Sequence, residues 1–227
     1  MKKEDLKKII DTKAPTSERN PILISKNMIS PNFSSITDYL DSVIEQNHVS
    51  FRAVERVISM YKLGKTNKVL EGHYGSVLWR IDRYGNPLAA NVLYFNDFGK
   101  IIYKDNIINY LYPWYCYDYY IDNNTLFGEH LIYNNRKKIV LVQDELTAML
   151  GAIAMPKYTW IALGIDIDLS SVVVNKLFGR NAIFFANDFN IDHSKKIAGD
   201  KLYVCDTFVN QDINQYLIDY IHTNGIP

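Results

Sequence analysis

The chain has 227 residues, 48% of them apolar, and Lys+Arg balance Asp+Glu at 25 each. Such a length and apolar share support a buried core without covalent staples, and zero net charge excludes the chain-wide basic footprint that neutralises nucleic-acid phosphates. Two cysteines, Cys116 and Cys205, exclude a disulfide framework or a four-cysteine zinc site, and no window reaches the roughly 18 apolar residues of a membrane span, so a cytoplasmic protein is expected.

Residues 1–31 combine a short amphipathic opening with a Pro/Ser/Asn-rich stretch, which predicts an arm or linker. Two helices are expected next. In "SSITDYLDSVIEQN" Ile36, Leu40, Val43 and Ile44 share one face, with Ser34 or Ser35 as N-cap; in "SFRAVERVISMYKLG" Phe51, Val54, Val57 and Ile58 do the same, with Gly64 as C-cap. Three apolar runs in "GSVLWRIDRYGNPLAANVLYFNDFGKIIY", separated by "DRYGN" and "NDFG", predict an antiparallel meander. The segment Tyr110–Tyr120, "YLYPWYCYDYY", is strongly aromatic but carries no cation. It reads as a packed bridge between two halves or as a partner or base-stacking surface, and packing is the commoner outcome.

From Phe127 onward strands and helices alternate: "KIVLV", "ELTAMLGAIAM", "YTWIALG", "SSVVVNKLFG", "NAIFFAND", "LYVCD", "INQYLIDYIHTNG". Four apolar strands with short helical or loop connections predict a small, mostly parallel four-stranded sheet. The expected fold class is thus an α+β N-terminal part, helices plus antiparallel meander, over residues 32–125, followed by an α/β domain over residues 126–227.

The stretch "KKIVLVQDELTAML" is a buried parallel strand that hands over to a helix, the place where many α/β proteins keep their chemistry. Its first residue past the strand is the neutral Gln143, with Asp144 and Glu145 behind it. The ordered phrases "YKLG" ending at Gly64, "WRIDRYG" from Trp79 to Gly85, and "FGEHL" from Phe127 to Leu131, together with that strand, resemble the catalytic core of bacterial primases. More narrowly, they resemble small primase-like Toprim (topoisomerase–primase) proteins of bacterial mobile elements, over residues 33–222.

The resemblance implies a Toprim-like α/β domain, work on DNA in replication or transfer, and magnesium-dependent nucleotidyl transfer. In the family a Glu follows the first Toprim strand and a D-x-D pair follows the third; here Gln143 aligns with the Glu, and "NAIFFANDFNID" presents Asn187, Asp188 and Asp192 without a D-x-D. A hard cation prefers anionic oxygens, so both departures imply a weakened or silent centre. Two compensations stay open. Asp144 or Glu145 turns into the pocket, or serves as an ordinary first-turn acid; Asp166 and Asp168 in "GIDIDLS" form a relocated cation site, or Asp168 caps the following helix.

The candidate set is therefore Gln143, Asp144 and Glu145 as catalytic residues, and Asp166, Asp168, Asn187 and Asp188 as magnesium ligands. Arg80, Arg83, Lys137 and Lys138 are the candidates for contact with nucleic acid. The five histidines, His48, His73, His130, His193 and His222, lack metal-ligand spacing, so zinc is not expected, and His130 is expected to pair with Glu129. Expected partners are single-stranded DNA or a protein of a replication or defence system, without a membrane.

Overall fold

The apolar periodicity after Phe33 does produce two helices, α1 (Ser35–Glu45) and α2 (Arg52–Tyr61), in the computed structural model of the protein. It describes residues 26–45, 51–107, 124–133, 136–165, 167–186, 191–208 and 211–225. The arm before residue 26, His48, the segment Tyr110–Tyr120 with Cys116, and Asp166, Asn187 and Asp188 lie outside the described residues. Ile36, Leu40, Val43 and Ile44 are buried, as are Val54, Val57 and Ile58, whereas Phe51 is exposed at the start of α2 and stacks on Phe33.

The first turn of α1 is tied down by hydroxyls. Ser34 N–H donates to Thr37 Oγ1 at 2.6 Å, the Thr37 hydroxyl donates back to Ser34 O at 2.7 Å, and Ile36 N–H reaches Ser76 Oγ at 3.0 Å on the neighbouring sheet. Helix α2 ends two residues earlier than its glycine suggests. Lys62 takes the left-handed conformation (φ 58°) and its N–H closes onto Ile58 O, so Gly64 is not the cap. It opens a strand instead, where a Cβ would come within 3.1 Å of Val77 Cβ.

That strand, β1 (Gly64–Leu70), joins β2 (His73–Ile81), β3 (Pro87–Phe95) and β4 (Ile101–Asn106) in an antiparallel sheet of order β1-β2-β3-β4. The meander thus has four strands where three apolar runs predict three. Strand β1, "GKTNKVL", is mostly polar because it lies at a sheet edge with half its residues in solvent, so hydrophobic pattern does not mark it. The two turns share one device. Asp82 accepts from Tyr84 N and Asn86 N, and Asn96 Oδ1 accepts from Phe98 N and Lys100 N, while Gly85 and Gly99 supply the positive φ. Burial alone would raise the Asp82 pKa, but the bonds from Asn86 and Tyr84 prevail and hold it below the usual carboxylate value.

After the short helix α3 (Glu129–Ile132), strands β5 (Ile139–Val142), β6 (Thr159–Ala162), β7 (Ala182–Phe185) and β8 (Tyr203–Cys205) form a wholly parallel sheet of order β6-β5-β7-β8. Between and after them run α4 (Glu145–Ala154), α5 (Ser171–Leu177), α6 (Ile191–Ala198) and α7 (Ile213–Asn224). Alternation sorts the strands' side chains. Val140, Val142, Trp160 and Ala162 pack with α4 and α7, while Ile139, Leu141, Ile161 and Phe184 pack with residues of α5 and α6. Helix α6, "IDHSKKIA", has no counterpart among the predicted elements because it buries only Ser194 and Ala198.

One core runs through both halves, from Ile36, Val57 and Tyr61 to Met149, Trp160 and Leu217. Tyr61 is its hinge pin: its ring stacks on Phe127 at 4.7 Å, and its hydroxyl donates to Trp160 O at 2.7 Å. Among the described residues no helix is long and apolar enough to cross a membrane.

Candidate functional site

In a sheet of order β6-β5-β7-β8 the chain reverses its direction of winding between β5 and β7, and the connections leaving those two strands diverge. A crevice at the strand exits is the consequence, and ligands of open α/β sheets bind in such crevices. Here it is a cleft of about 230 Å³, lined by Gln143, Asp144 and Thr147 after β5, Phe185 at the end of β7, and Asp212 and Asn214 at the start of α7.

Gln143 leaves β5 with its amide turned along the sheet edge, where Nε2 donates to Gly164 O at 3.1 Å and to Ile167 O at 2.8 Å. The Gln143 backbone carbonyl accepts from Gly164 N at 2.9 Å. Gln143 thus staples the loop after β6 to the exit of β5. An ionised carboxylate has no proton to donate and would face two carbonyl oxygens in that position. Gln143→Glu is expected to destabilise the fold by about 1–3 kcal/mol in urea denaturation at neutral pH, the usual penalty for stranding buried polar atoms. Equal stability of the two proteins would mean that the amide is not a clamp.

Asp144 has the extended backbone of an N-cap (φ −118°, ψ 159°) and accepts the Thr147 N–H at 2.8 Å. Thr147 Oγ1 lies 2.6 Å from both Asp144 Oδ2 and Asn214 Oδ1, so its single proton serves one of them at a time. Burial pushes the Asp144 pKa above the usual carboxylate value, against the bonds from Thr147 that favour its ionised form.

Glu145 opens α4 but points inward and is 1% exposed. Its Oε1 accepts from Asn91 Nδ2 at 2.9 Å and lies 3.8 Å from Arg80 Nη2; Oε2 is buried with no hydrogen-bond partner among the described residues. Burial raises its pKa, with the Arg80 charge pulling the other way and only partly offsetting it. The first-turn acid of α4 therefore bridges the antiparallel sheet to the parallel one.

Of the proposed nucleic-acid contacts, Arg80 is 2% exposed and donates through Nη1 to Thr125 O at 3.0 Å, inside the protein. Arg83 is exposed at the β2–β3 turn, its guanidinium 4.6 Å over the Tyr84 ring and donating to the Tyr84 hydroxyl. Lys137 and Lys138 precede β5 and so lie at the opposite edge from Gln143, about 16–20 Å away along the strand. Lys137 Nζ donates to Pro156 O at 2.6 Å.

Asp168 is exposed in the loop before α5, next to Ile167, whose carbonyl Gln143 holds. It is not the cap of that helix. Ser170, two residues further on, takes that place, its hydroxyl accepting from Val173 N at 3.3 Å. The expected His130–Glu129 pair does not form either. Successive residues on a helix point apart, so His130 Nε2 bonds Met60 O at 2.9 Å, while Glu129 binds Lys176 Nζ at 2.8 Å and Leu126 N at 3.1 Å.

Thr147, Asn214 and Asn91 belong to this neighbourhood without having stood out in the sequence. Asn91 carried a signal, a lone amide inside the apolar run "PLAANVLYF"; Thr147 and Asn214 carried none beyond ordinary helix-start chemistry. As a seat for magnesium, the described residues of the cleft offer Asp144, whose two oxygens face Thr147, and Asp212, which caps α7 by accepting from Asn214 N and Gln215 N. The amide nitrogen of Gln143 is turned onto backbone carbonyls. A hard divalent cation needs several free anionic or carbonyl oxygens, so these residues do not fit one by themselves.

The same architecture occurs in solved primases. The primase fragment of the bacteriophage T7 primase-helicase protein matches with a TM-score of 0.54 at 14% sequence identity, over 94% of this chain and 80% of that one. The E. coli primase catalytic core matches with a TM-score of 0.50 at 11% identity, over 81% and 70% of the respective chains. At such identities the likeness is one of fold, that of a Toprim-like primase core. No curated protein sequence matches the chain. The family model described as "Domain of unknown function (DUF6371)" matches residues 34–188, more than half of the chain, and the protein belongs to that family.

Proposed function

We propose that the protein is a primase-like protein of DNA replication, or of mobile-element transfer, that holds single-stranded DNA and has a degenerate acidic centre with weak or no nucleotidyl transfer. The primase-core half, residues 32–125, and the Toprim-like half, residues 126–227, act as one unit on this reading, because a single core runs through both. The fold likeness supports the DNA context. The observation that carries the degenerate centre is Gln143: the position that leads the cleft is occupied by an amide already committed to two backbone carbonyls.

Asp144 adds one carboxylate whose burial favours its protonated form, which weakens any grip on a cation further. Residual chemistry would draw on Asp144, and on Asp166, Asp168, Asn187 and Asp188 as the residues proposed for magnesium. A primer-synthesis assay on a single-stranded template, with ribonucleoside triphosphates and magnesium or manganese, is expected to give trace product or none. Robust synthesis by the native chain overturns the degenerate centre.

The zero net charge supports a second reading, a non-enzymatic module that binds a protein of a replication or defence system. Failure of the chain to bind any oligonucleotide at low salt would favour it.

A further inference from the structure

The strand-entry edge of the parallel sheet gathers cations. Lys157 precedes β6, Arg136 to Lys138 precede β5, Arg180 precedes β7 and Lys201 precedes β8, so the order β6-β5-β7-β8 lines these cations along the strand-entry edge. Four strands at ~4.8 Å spacing make that row roughly 15 Å wide. All six are exposed, and the acid among them is Asp200. Among the described residues Arg136, Lys138, Lys157 and Arg180 form no salt bridge. Past the strand exits stand Asp144, Asp168 and Asp206, the last paired with Lys195 Nζ at 2.8 Å. A neutral chain thus contains a basic edge that its net charge conceals.

Beside this row lies a pocket of about 280 Å³, larger than the cleft at the strand exits. Its lining includes Lys138, Tyr158, Trp160, Phe185, Phe208 and Tyr216. The rings are set at angles to one another: Phe208 is edge-on to Phe185 (5.2 Å, 83°) and tilted to Tyr216 (5.2 Å, 58°). Lys157 Nζ sits 5.2 Å from the centroid of the Tyr158 ring, so a cation borders the aromatic wall. Tyr216 is 44% exposed and opens that wall to solvent.

We propose that the strand-entry edge is a single-stranded DNA binding surface, in which Arg136, Lys138, Lys157 and Arg180 hold phosphates and the adjoining aromatic pocket receives one unstacked base. Cations without carboxylate partners suit a polyanion, and flat rings suit a base whatever its identity. The pocket takes a ring system of one base rather than a base pair, so a single strand is the occupant and not a duplex. The ligand class rests on the function proposed above; the pocket adjoins the strand-exit cleft through Phe185, Phe208 and Ile213, but Lys138, Lys157 and Tyr216 do not line that cleft.

The test is anisotropy of a labelled thymidine oligonucleotide, an abasic counterpart of equal length and a uridine oligonucleotide, titrated at low salt and then with rising salt. Native protein is compared with Lys138→Glu/Lys157→Glu and with Tyr216→Ala, all exposed positions whose folding is verified by thermal melting. The double charge reversal is expected to weaken binding at least tenfold and to flatten the log–log salt slope by about 1.4, because each neutralised phosphate of a single strand contributes ~0.7 to that slope. Tyr216→Ala is expected to weaken binding of the thymidine strand several-fold and to leave the abasic strand unaffected. Native-like binding by both variants, with native protein binding well, overturns the surface while leaving the nucleic-acid reading intact. No binding by native protein at low salt overturns both, and a preference for the uridine strand overturns the assignment to DNA.

Discussion

Glu145→Ala is expected to lower the folding stability by about 3–5 kcal/mol, the range seen when one partner of a buried ion pair is removed. Glu145 and Arg80 are 1% and 2% exposed, and their charged atoms approach to 3.8 Å. Removing the carboxylate takes the counter-charge from the buried Arg80 guanidinium and the acceptor from Asn91 Nδ2. Most of the loss comes from the uncompensated buried charge and the stranded amide left behind, not from the attraction itself. The double variant Arg80→Met/Glu145→Leu, which removes both charges at similar volume, is therefore expected to be markedly more stable than Glu145→Ala.

The pH dependence follows from the same burial. The Glu145 pKa is raised above its unfolded value of 4.5, so its contribution is fully present below that pH and declines as pH rises through the elevated folded value. Glu145→Ala should lose that part of the pH slope. Urea denaturation across mildly acidic and neutral pH reads both effects, and a loss below about 1 kcal/mol at every pH would show that the pair is not a structural tie.

The second large effect is expected at Gly164, where the loop after β6 crosses the same cluster. Its φ is +112°, a conformation that L side chains rarely adopt, and a Cβ would fall 1.8 Å from Arg80 Nη2 and 3.2 Å from Glu145 Oε1. Arg80 cannot simply retreat, since Nη1 is bonded to Thr125 O. Backbone strain and overpacking each cost about 1–3 kcal/mol, so Gly164→Ala should lose about 2–6 kcal/mol. Shortening the arginine should relieve the clash but not the strain. The combination Gly164→Ala/Arg80→Ala is therefore expected to be less destabilised than the sum of the single variants, and strict additivity in thermal melts would contradict the predicted clash.

How far residue order reveals this molecule differs by element. Helices α1 and α2 are legible because Ile36, Leu40, Val43 and Ile44, and Val54, Val57 and Ile58, repeat at helical spacing and all become buried. Strands β5 and β6 are legible as short apolar runs, and all four residues of each are buried. The edge strand β1 and the helix α6 escape that reading because each buries few side chains and so has little pattern to show. In the cleft, Gln143 and Asp144 can be picked out as the residues that follow a buried parallel strand. Their bonding partners cannot.

Element type and strand alternation are local properties, carried by the periodicity of neighbouring side chains, and they were present in the order of residues. The fate of individual polar groups was not. Arg80 looked like a surface cation on a strand next to a turn, and it is enclosed because Glu145, 65 positions later, and Gly164, 84 positions later, come to rest beside it. Gln143 looked like a missing charge, and it is a donor to carbonyls 21 and 24 residues away. Desolvation and donor–acceptor pairing depend on which distant segments meet, so only the packed chain decides whether a charge faces water, a partner or a ligand.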